Sequence, residues 1–209
     1  MKKIYSLFVV LLILSVNTFS QGIYQFWSTT PLGGDNYQGV IYKTRFDGTG
    51  QTVVAGPEMQ APGRYPSEIT GVVFENKIYY AIASAGIDND GAIMEFDPLT
   101  NKSVKVADFA AIGGIQPTGN MVVLNNKLYG ATNKGGATSG GTLYEFTPFN
   151  RGLTKKHDFL NASGELPKGN IAVFNGKLYG TCNIGGTNGG GLVYEFDPAN
   201  SVYTIKQEL

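Results

Sequence analysis

The chain has one cysteine, one histidine and one tryptophan among its 209 residues, and these scarcities exclude several kinds of chemistry. A lone Cys182 allows no internal disulfide framework, so packing must hold the fold. Cys182 itself reads as a small buried apolar residue near a strand end. A lone His157 leaves no team for a serine triad, and no Gly-x-Ser-x-Gly elbow accompanies it. One His and one Cys also exclude a zinc or copper centre built from such ligands. His157 reads as an ordinary polar residue of a strand; Ala107 and Gln207 stand fifty residues to either side of it.

Charge is scarce and balanced. Charged residues make up 15% and the formal net charge is +0. Such a chain has no global field to attract nucleic acid or an acidic membrane. Long apolar runs are missing too. The longest, Ile4 to Val16, has 13 residues, whereas a membrane span takes about 20. It follows Met1-Lys2-Lys3 and precedes Asn17-Thr18-Phe19-Ser20, which is the layout of a secretory signal. The expectation is a signal peptide at 1–20 and a mature chain at 21–209, secreted to the exterior or held at the cell surface. Removing Lys2 and Lys3 leaves 14 basic residues against 16 acidic ones.

Glycine and aromatics are what the chain has in quantity: Gly 29, Tyr 12 and Phe 12. This mixture suits short strands and tight turns, not helices. The mature sequence aligns with itself at a spacing of fifty. Lys77-Ile78-Tyr79-Tyr80 returns as Lys127-Leu128-Tyr129-Gly130 and as Lys177-Leu178-Tyr179-Gly180. Met94-Glu95-Phe96-Asp97-Pro98 returns as Tyr144-Glu145-Phe146-Thr147-Pro148 and as Tyr194-Glu195-Phe196-Asp197-Pro198. A more divergent copy comes first, with Trp27 in the Tyr place, Gly33-Gly34 in the glycine-rich loop and Phe46-Asp47 in the Phe-Asp place. The units fall at about 21–68, 69–118, 119–168 and 169–209.

Each unit reads as four short antiparallel strands. An apolar run such as Ile171 to Phe174 leads into a two-residue turn: Glu75-Asn76, Asn125-Asn126 or Asn175-Gly176. These pairs tolerate the positive φ of a type I′ hairpin. The Lys-x-Tyr strand follows, then a glycine-rich loop, then a third strand ended by Pro98, Pro148 or Pro198, and a fourth such as Leu153 to Phe159. The expected fold is all-β, a β-propeller-type array of about four blades. One such sheet cannot hide two apolar faces alone, so blades must stack. The first unit starts at a second-strand segment, Tyr24 to Ser28, and the last ends inside a fourth strand. An incomplete propeller is therefore expected, with self-association through bare end faces; a closed four-bladed ring is the alternative.

Leu128-Tyr129-Gly130-Ala131-Thr132, Gly135-Gly136 and Gly141 to Pro148 resemble the GloVer tandem repeat of choice-of-anchor bacterial proteins. Leu178 to Pro198 resembles it equally. The resemblance implies export and a propeller-like array, with no defined chemistry. Val173 to Tyr179 and Phe196 to Asn200 also resemble a kelch hairpin and third-strand turn. The glycine pair comes later than in kelch, and no Trp occupies the fourth strand.

No catalytic residues are assigned. Glu95, Glu145 and Glu195, with Asp97 and Asp197, recur once per blade, as framework residues do; a glycosidase pair faces one substrate. Tyr79, Tyr129 and Tyr179 read as core. Asp88-Asn89-Asp90-Gly91 resembles the opening of a calcium loop, which makes Asp88 and Asp90 the calcium candidates, yet the completing Glu is missing. No other cofactor is implied. Candidate ligand-binding residues are Trp27, Thr138, Ser139, Thr187 and Asn188, the variable loop positions plus the one aromatic that departs from Tyr. The function read from these features is a secreted non-catalytic module whose loops bind an extracellular glycan or protein. An enzyme whose centre lies on other blades, and a surface spacer, stay open beside it.

Overall fold

A computed structural model describes residues 25–30, 40–45, 50–55, 63–64 and 71–209. The expected signal peptide, Gly33-Gly34 and Phe46-Asp47 lie outside the described residues. Strands β1 (Gln25–Thr30), β2 (Val40–Arg45) and β3 (Thr52–Ala55) form a three-stranded sheet. A short pairing follows between β4 (Gly63–Arg64) and β7 (Ser84–Ala85). Three four-stranded antiparallel sheets complete the array. The second blade holds β5 (Val72–Phe74), β6 (Lys77–Ile82), β8 (Ala92–Asp97) and β9 (Lys102–Asp108). The third holds β10 (Gly114–Leu124), β11 (Lys127–Gly135), β12 (Thr142–Thr147) and β13 (Gly152–Asp158). The fourth holds β14 (Glu165–Phe174), β15 (Lys177–Ile184), β16 (Leu192–Asp197) and β17 (Val202–Glu208). The fold is all-β and propeller-type, as the repeat implies. No helix among the described residues is long and apolar enough to cross a membrane.

The hairpin turns take the backbone that their residues favour. Glu75 and Asn76, Asn125 and Asn126, and Asn175 and Gly176 all have positive φ, the requirement of a type I′ turn. The first strands are longer than their apolar runs. β10 and β14 begin at Gly114 and Glu165 and run through Pro117 and Pro167. Both are edge strands, where a missing N–H costs no ladder bond. Each bulges partway, between Thr118 and Val122 and between Lys168 and Ala172. At the bulges two blades touch through backbone: a Cβ on Gly119 would fall on the carbonyl oxygen of Gly169. The Ile171 amide donates to Asn120 Oδ1 at 2.8 Å, tying the third blade to the fourth.

Adjacent residues of one strand are both buried because both faces are covered. Leu128 is 0% exposed and Tyr129 2%. Leu128, Tyr144 and Phe146 pack on Tyr79, Ala81 and Ile93 of the second blade. Tyr129, Ala131 and Leu143 pack on Leu178, Cys182, Leu192, Tyr194 and Phe196 of the fourth. Each such large side chain stabilises by about 1.5–3 kcal/mol. Within a sheet, size is traded across a rung. Gly130 lies opposite Tyr144 and Gly180 opposite Tyr194, and a Cβ on either glycine would collide with the facing tyrosine ring. The second blade reverses the pair, setting Tyr80 opposite Met94.

Candidate functional site: the glycine-rich loops

The second, third and fourth blades each place their β-hairpin turns at one end and their glycine-rich loop at the other. The loops sit between β6 and β8, β11 and β12, and β15 and β16. The connectors 109–113 and 159–164 reach the same end. One set of bonds recurs in all three loops. Gly91, Gly141 and Gly191 donate N–H to the carbonyls of Ala85, Gly135 and Gly185 at 2.8, 2.9 and 3.1 Å. Phe109, Phe159 and Leu209 then donate to Gly91, Gly141 and Gly191. A carboxylate from the fourth strand closes each loop. Asp108 Oδ1 accepts from Ile87 N at 3.3 Å, Asp158 Oδ1 from Ala137 N at 3.2 Å, and Glu208 Oε2 from Thr187 N at 2.8 Å. Lys105 and Lys155 pair with Asp108 and Asp158 at 2.9 and 3.0 Å. The Glu208 carboxyl is held below its ordinary value by the Thr187 amide and hydroxyl.

Loops also bond to the next blade. Gln116 N donates to Asp90 O at 2.9 Å, and Leu166 N to Gly140 O at 2.8 Å. Beneath the third-blade loop, fully buried Thr132 and Thr142 share a 2.9 Å hydroxyl contact. The loop backbone is therefore fixed from three sides, while its tip side chains face solvent. Thr138, Ser139, Thr187 and Asn188 are all exposed. Thr138 also reaches the Phe159 carbonyl at 3.4 Å. Trp27 is not at this end by register. It lies in β1 opposite Lys43, the place that Tyr129 and Glu145 hold in the third blade. Its side chain lies outside the described residues. Thr44-Arg45, two residues before Phe46-Asp47, occupy the Phe-Asp place of the first sheet.

Asp88 and Asp90 stand in a short 3-10 turn, with Asp88 exposed and at φ 57. Among the described residues, no three His, Cys, Asp or Glu side chains converge as a metal site would require. The repeated glutamates are engaged within their own blades. Glu145 accepts from Lys127 Nζ and from the Tyr129 hydroxyl, both at 2.7 Å. Glu195 accepts from Lys177 Nζ at 2.7 Å and from Tyr179 at 2.5 Å. Glu95 accepts from Tyr79 at 2.9 Å, while Lys77 turns to Asp97. Burial pushes the Glu145 carboxyl up, but the Lys127 and Tyr129 bonds outweigh it and keep it low. Lys177, then Tyr179, hold Glu195 at about 2.

Tyr79 and Tyr129 are core, at 4% and 2% exposed. Tyr179 departs from that expectation: it is only half-buried, whereas Tyr129 packs against the fourth blade. Cys182 is buried at 2% exposure, and burial pushes its thiol up to about 12. His157 is more than a polar strand residue. It sits between blades three and four, against Phe159 and Tyr203, with Nε2 buried and without a hydrogen-bond partner. No local pattern around His157 signals this, because its partner Tyr203 lies in the next blade.

The repeat family described as the Gloeobacter/Verrucomicrobia repeat matches residues 25–208. No curated protein sequence matches the chain. Among solved structures, a chain of the nidogen/laminin complex is similar at 14% identity and TM-score 0.55, over 81% of this chain and 56% of that one. TolB from Acinetobacter baumannii is similar at 15% identity and TM-score 0.53, over 96% of this chain and 46% of its own. The tricorn protease is similar at 13% identity and TM-score 0.49, over 81% of this chain and 15% of its own. The chain thus spans about half, or less, of the solved chains it resembles. Their likeness is one of fold.

Proposed function

The chain belongs to the Gloeobacter/Verrucomicrobia repeat family, and from that premise we propose that it is a secreted repeat module whose glycine-rich loops bind an extracellular glycan or protein. One observation carries this reading. The three loops share one bonded backbone, yet their tips differ: Ile87-Asp88-Asn89, Ala137-Thr138-Ser139 and Thr187-Asn188-Gly189. A fixed frame with variable, exposed tips is how repeat folds present recognition residues. The framework carboxylates are tied to Lys and Tyr of their own sheets, which fits a constructional role for Glu145 and Glu195.

A glycan and protein array probed with the purified chain is the test. Replacing Thr138 and Ser139, or Thr187 and Asn188, by Ala should lower binding of the selected ligand and leave the melting temperature unchanged. Polysaccharide turnover by the same chain, lost in Glu145→Gln while folding persists, would overturn the reading in favour of an enzyme. Export is tested separately by the mass of the chain recovered from the medium, expected to begin at Gln21.

A further inference from the structure

We propose that His157 is a proton-operated latch for the third-blade and fourth-blade loops: neutral, it keeps both shut, and protonated, it lets both open. Two seams of the array are built alike and differ at this point. Between the second and third blades, Ala107 and Leu153 pack partly buried against the shared core. Fifty residues on, His157 takes the place of Ala107 and Tyr203 the place of Leu153. The registers agree, since Ala107 lies opposite Ile93 and His157 opposite Leu143. A stacked pair of rings with polar atoms thus replaces an aliphatic pair.

Each ring is tied to a loop. His157 runs directly into Asp158 and Phe159, which hold the third-blade loop through the Ala137 amide and the Gly141 carbonyl. The Tyr203 hydroxyl donates to Ser163 O at 2.7 Å, in the short 3-10 turn Asn161–Ser163. The neighbouring Ala162 carbonyl accepts from Gly186 N at 3.0 Å, which secures the fourth-blade loop. Leu153 has no hydroxyl with which to make the corresponding tie.

The pair lies in a closed aromatic box. Phe159 and Tyr194 have centroids 5.2 Å apart, and Tyr203 lies 6.0 and 5.4 Å from them. His157 Nε2 is buried there without a partner. The groups that could answer a charge are already engaged. On its own strand, Asp158 pairs with Lys155, and Lys156 lies beside Glu145 of β12. Glu145 accepts from Lys127 and Tyr129, and Glu165 of β14 accepts from the Asn161 amide. From the fourth blade come Cys182, Tyr194 and Tyr203, whose hydroxyl is committed to Ser163. Ring faces attract an imidazolium, but a buried charged donor without an acceptor costs more than a bare neutral lone pair. The folded ring therefore resists the proton that an opened seam would let it take. Opening that seam withdraws Tyr203 and the end of β13 from the loops together.

The latch regulates the loops proposed above to bind. It rests on that reading for its use alone, because its test needs no ligand.

That test is amide hydrogen exchange of the purified full chain, read by mass spectrometry as protection factors at about pH 7 and about pH 5.5. The second-blade loop, residues 85–91, is the internal control. It has the same glycine bonds and the Asp108 closure, with Ala107 in the place of the histidine. Protection at 135–141 and 184–191 should fall several-fold on acidification while 85–91 holds. Uptake of one proton limits the fall to about tenfold per pH unit. His157→Phe, or His157→Gln if circular dichroism shows the first misfolded, should remove the fall in both loops. Tyr203→Phe keeps the stack and loses the hydroxyl, so the third-blade loop should still respond and the fourth should not. An unchanged wild type, an equal fall at 85–91, a fall that survives the histidine substitution, or a fourth-blade loop that still responds in Tyr203→Phe would each overturn the proposal. A positive exchange result beside an array without ligands would support the latch and count against loop binding.

Discussion

The imidazole of His157 lies flat on the ring of Tyr203, with centroids 4.0 Å apart and planes 7° from parallel. The two residues belong to different blades, so the stack is a seam between repeats. Burial holds the imidazole below its ordinary value, with Asp158 opposing. The unfolded chain therefore takes up the proton first as pH falls. Stability is full above the ordinary histidine value, about 6.5, and declines below it. The melting temperature should fall between about pH 7 and about pH 5. His157→Phe should keep the stack and abolish that slope; an unchanged slope would refute the assignment.

A second expectation concerns the glycine and tyrosine rungs. Gly130→Tyr should destabilise by about 1–3 kcal/mol or more, since the Tyr144 ring already fills the site. Adding Tyr144→Met recreates the Tyr80 and Met94 arrangement of the second blade. Denaturant melts of the single and double variants form a cycle. The double variant should regain stability relative to Gly130→Tyr; strict additivity of the two losses would contradict the size trade.

Tyr129 and Tyr179 hold equivalent positions but differ in cover, so truncating them should differ as well. Tyr129→Ala should cost about 3–5 kcal/mol, as removal of a buried aromatic does. Tyr179→Ala should cost about 1–2 kcal/mol, within the ordinary range for a partly exposed site. Equal losses in chemical denaturation would show that the fourth blade is covered after all.

Acid should act on the glutamates. Lys177, then Tyr179, hold the folded Glu195 carboxyl at about 2, against about 4.3 for an unfolded glutamate. A depressed carboxylate contributes stability above the unfolded value and loses it as pH falls through the folded one. Acid unfolding should set in below about pH 4.3, and Glu195→Gln should flatten the dependence in that window. A profile identical to wild type would remove Glu195 from the account.

Much of this was legible in the sequence because it is local or repeated. Asn125-Asn126 and Asn175-Gly176 announced their turns through their tolerance of positive φ, and the spacing of fifty fixed the blades. What stayed hidden depends on contacts between blades, which no local pattern encodes. Asn120 reaches the Ile171 amide fifty-one positions away, and His157 meets Tyr203 across the same seam. The seat that Gly130 provides for Tyr144 left a trace, since Tyr80 and Met94 exchange the sizes. The loops disclosed their tips but not their frame, because the Asp108, Asp158 and Glu208 carboxylates that close them sit in another strand.

The close approach at Gly119 and Gly169 bears on how the array tolerates change. The third and fourth blades meet there main chain to main chain, with no side chain to swell or shrink. The approach of the third blade to the fourth is thus limited there by backbone contact, beside the packed side chains of the layer between them. Substitutions in the layer between these two sheets should alter how firmly they adhere more than how closely their first strands approach. A Cβ at Gly119 is the small change that would alter the pitch itself.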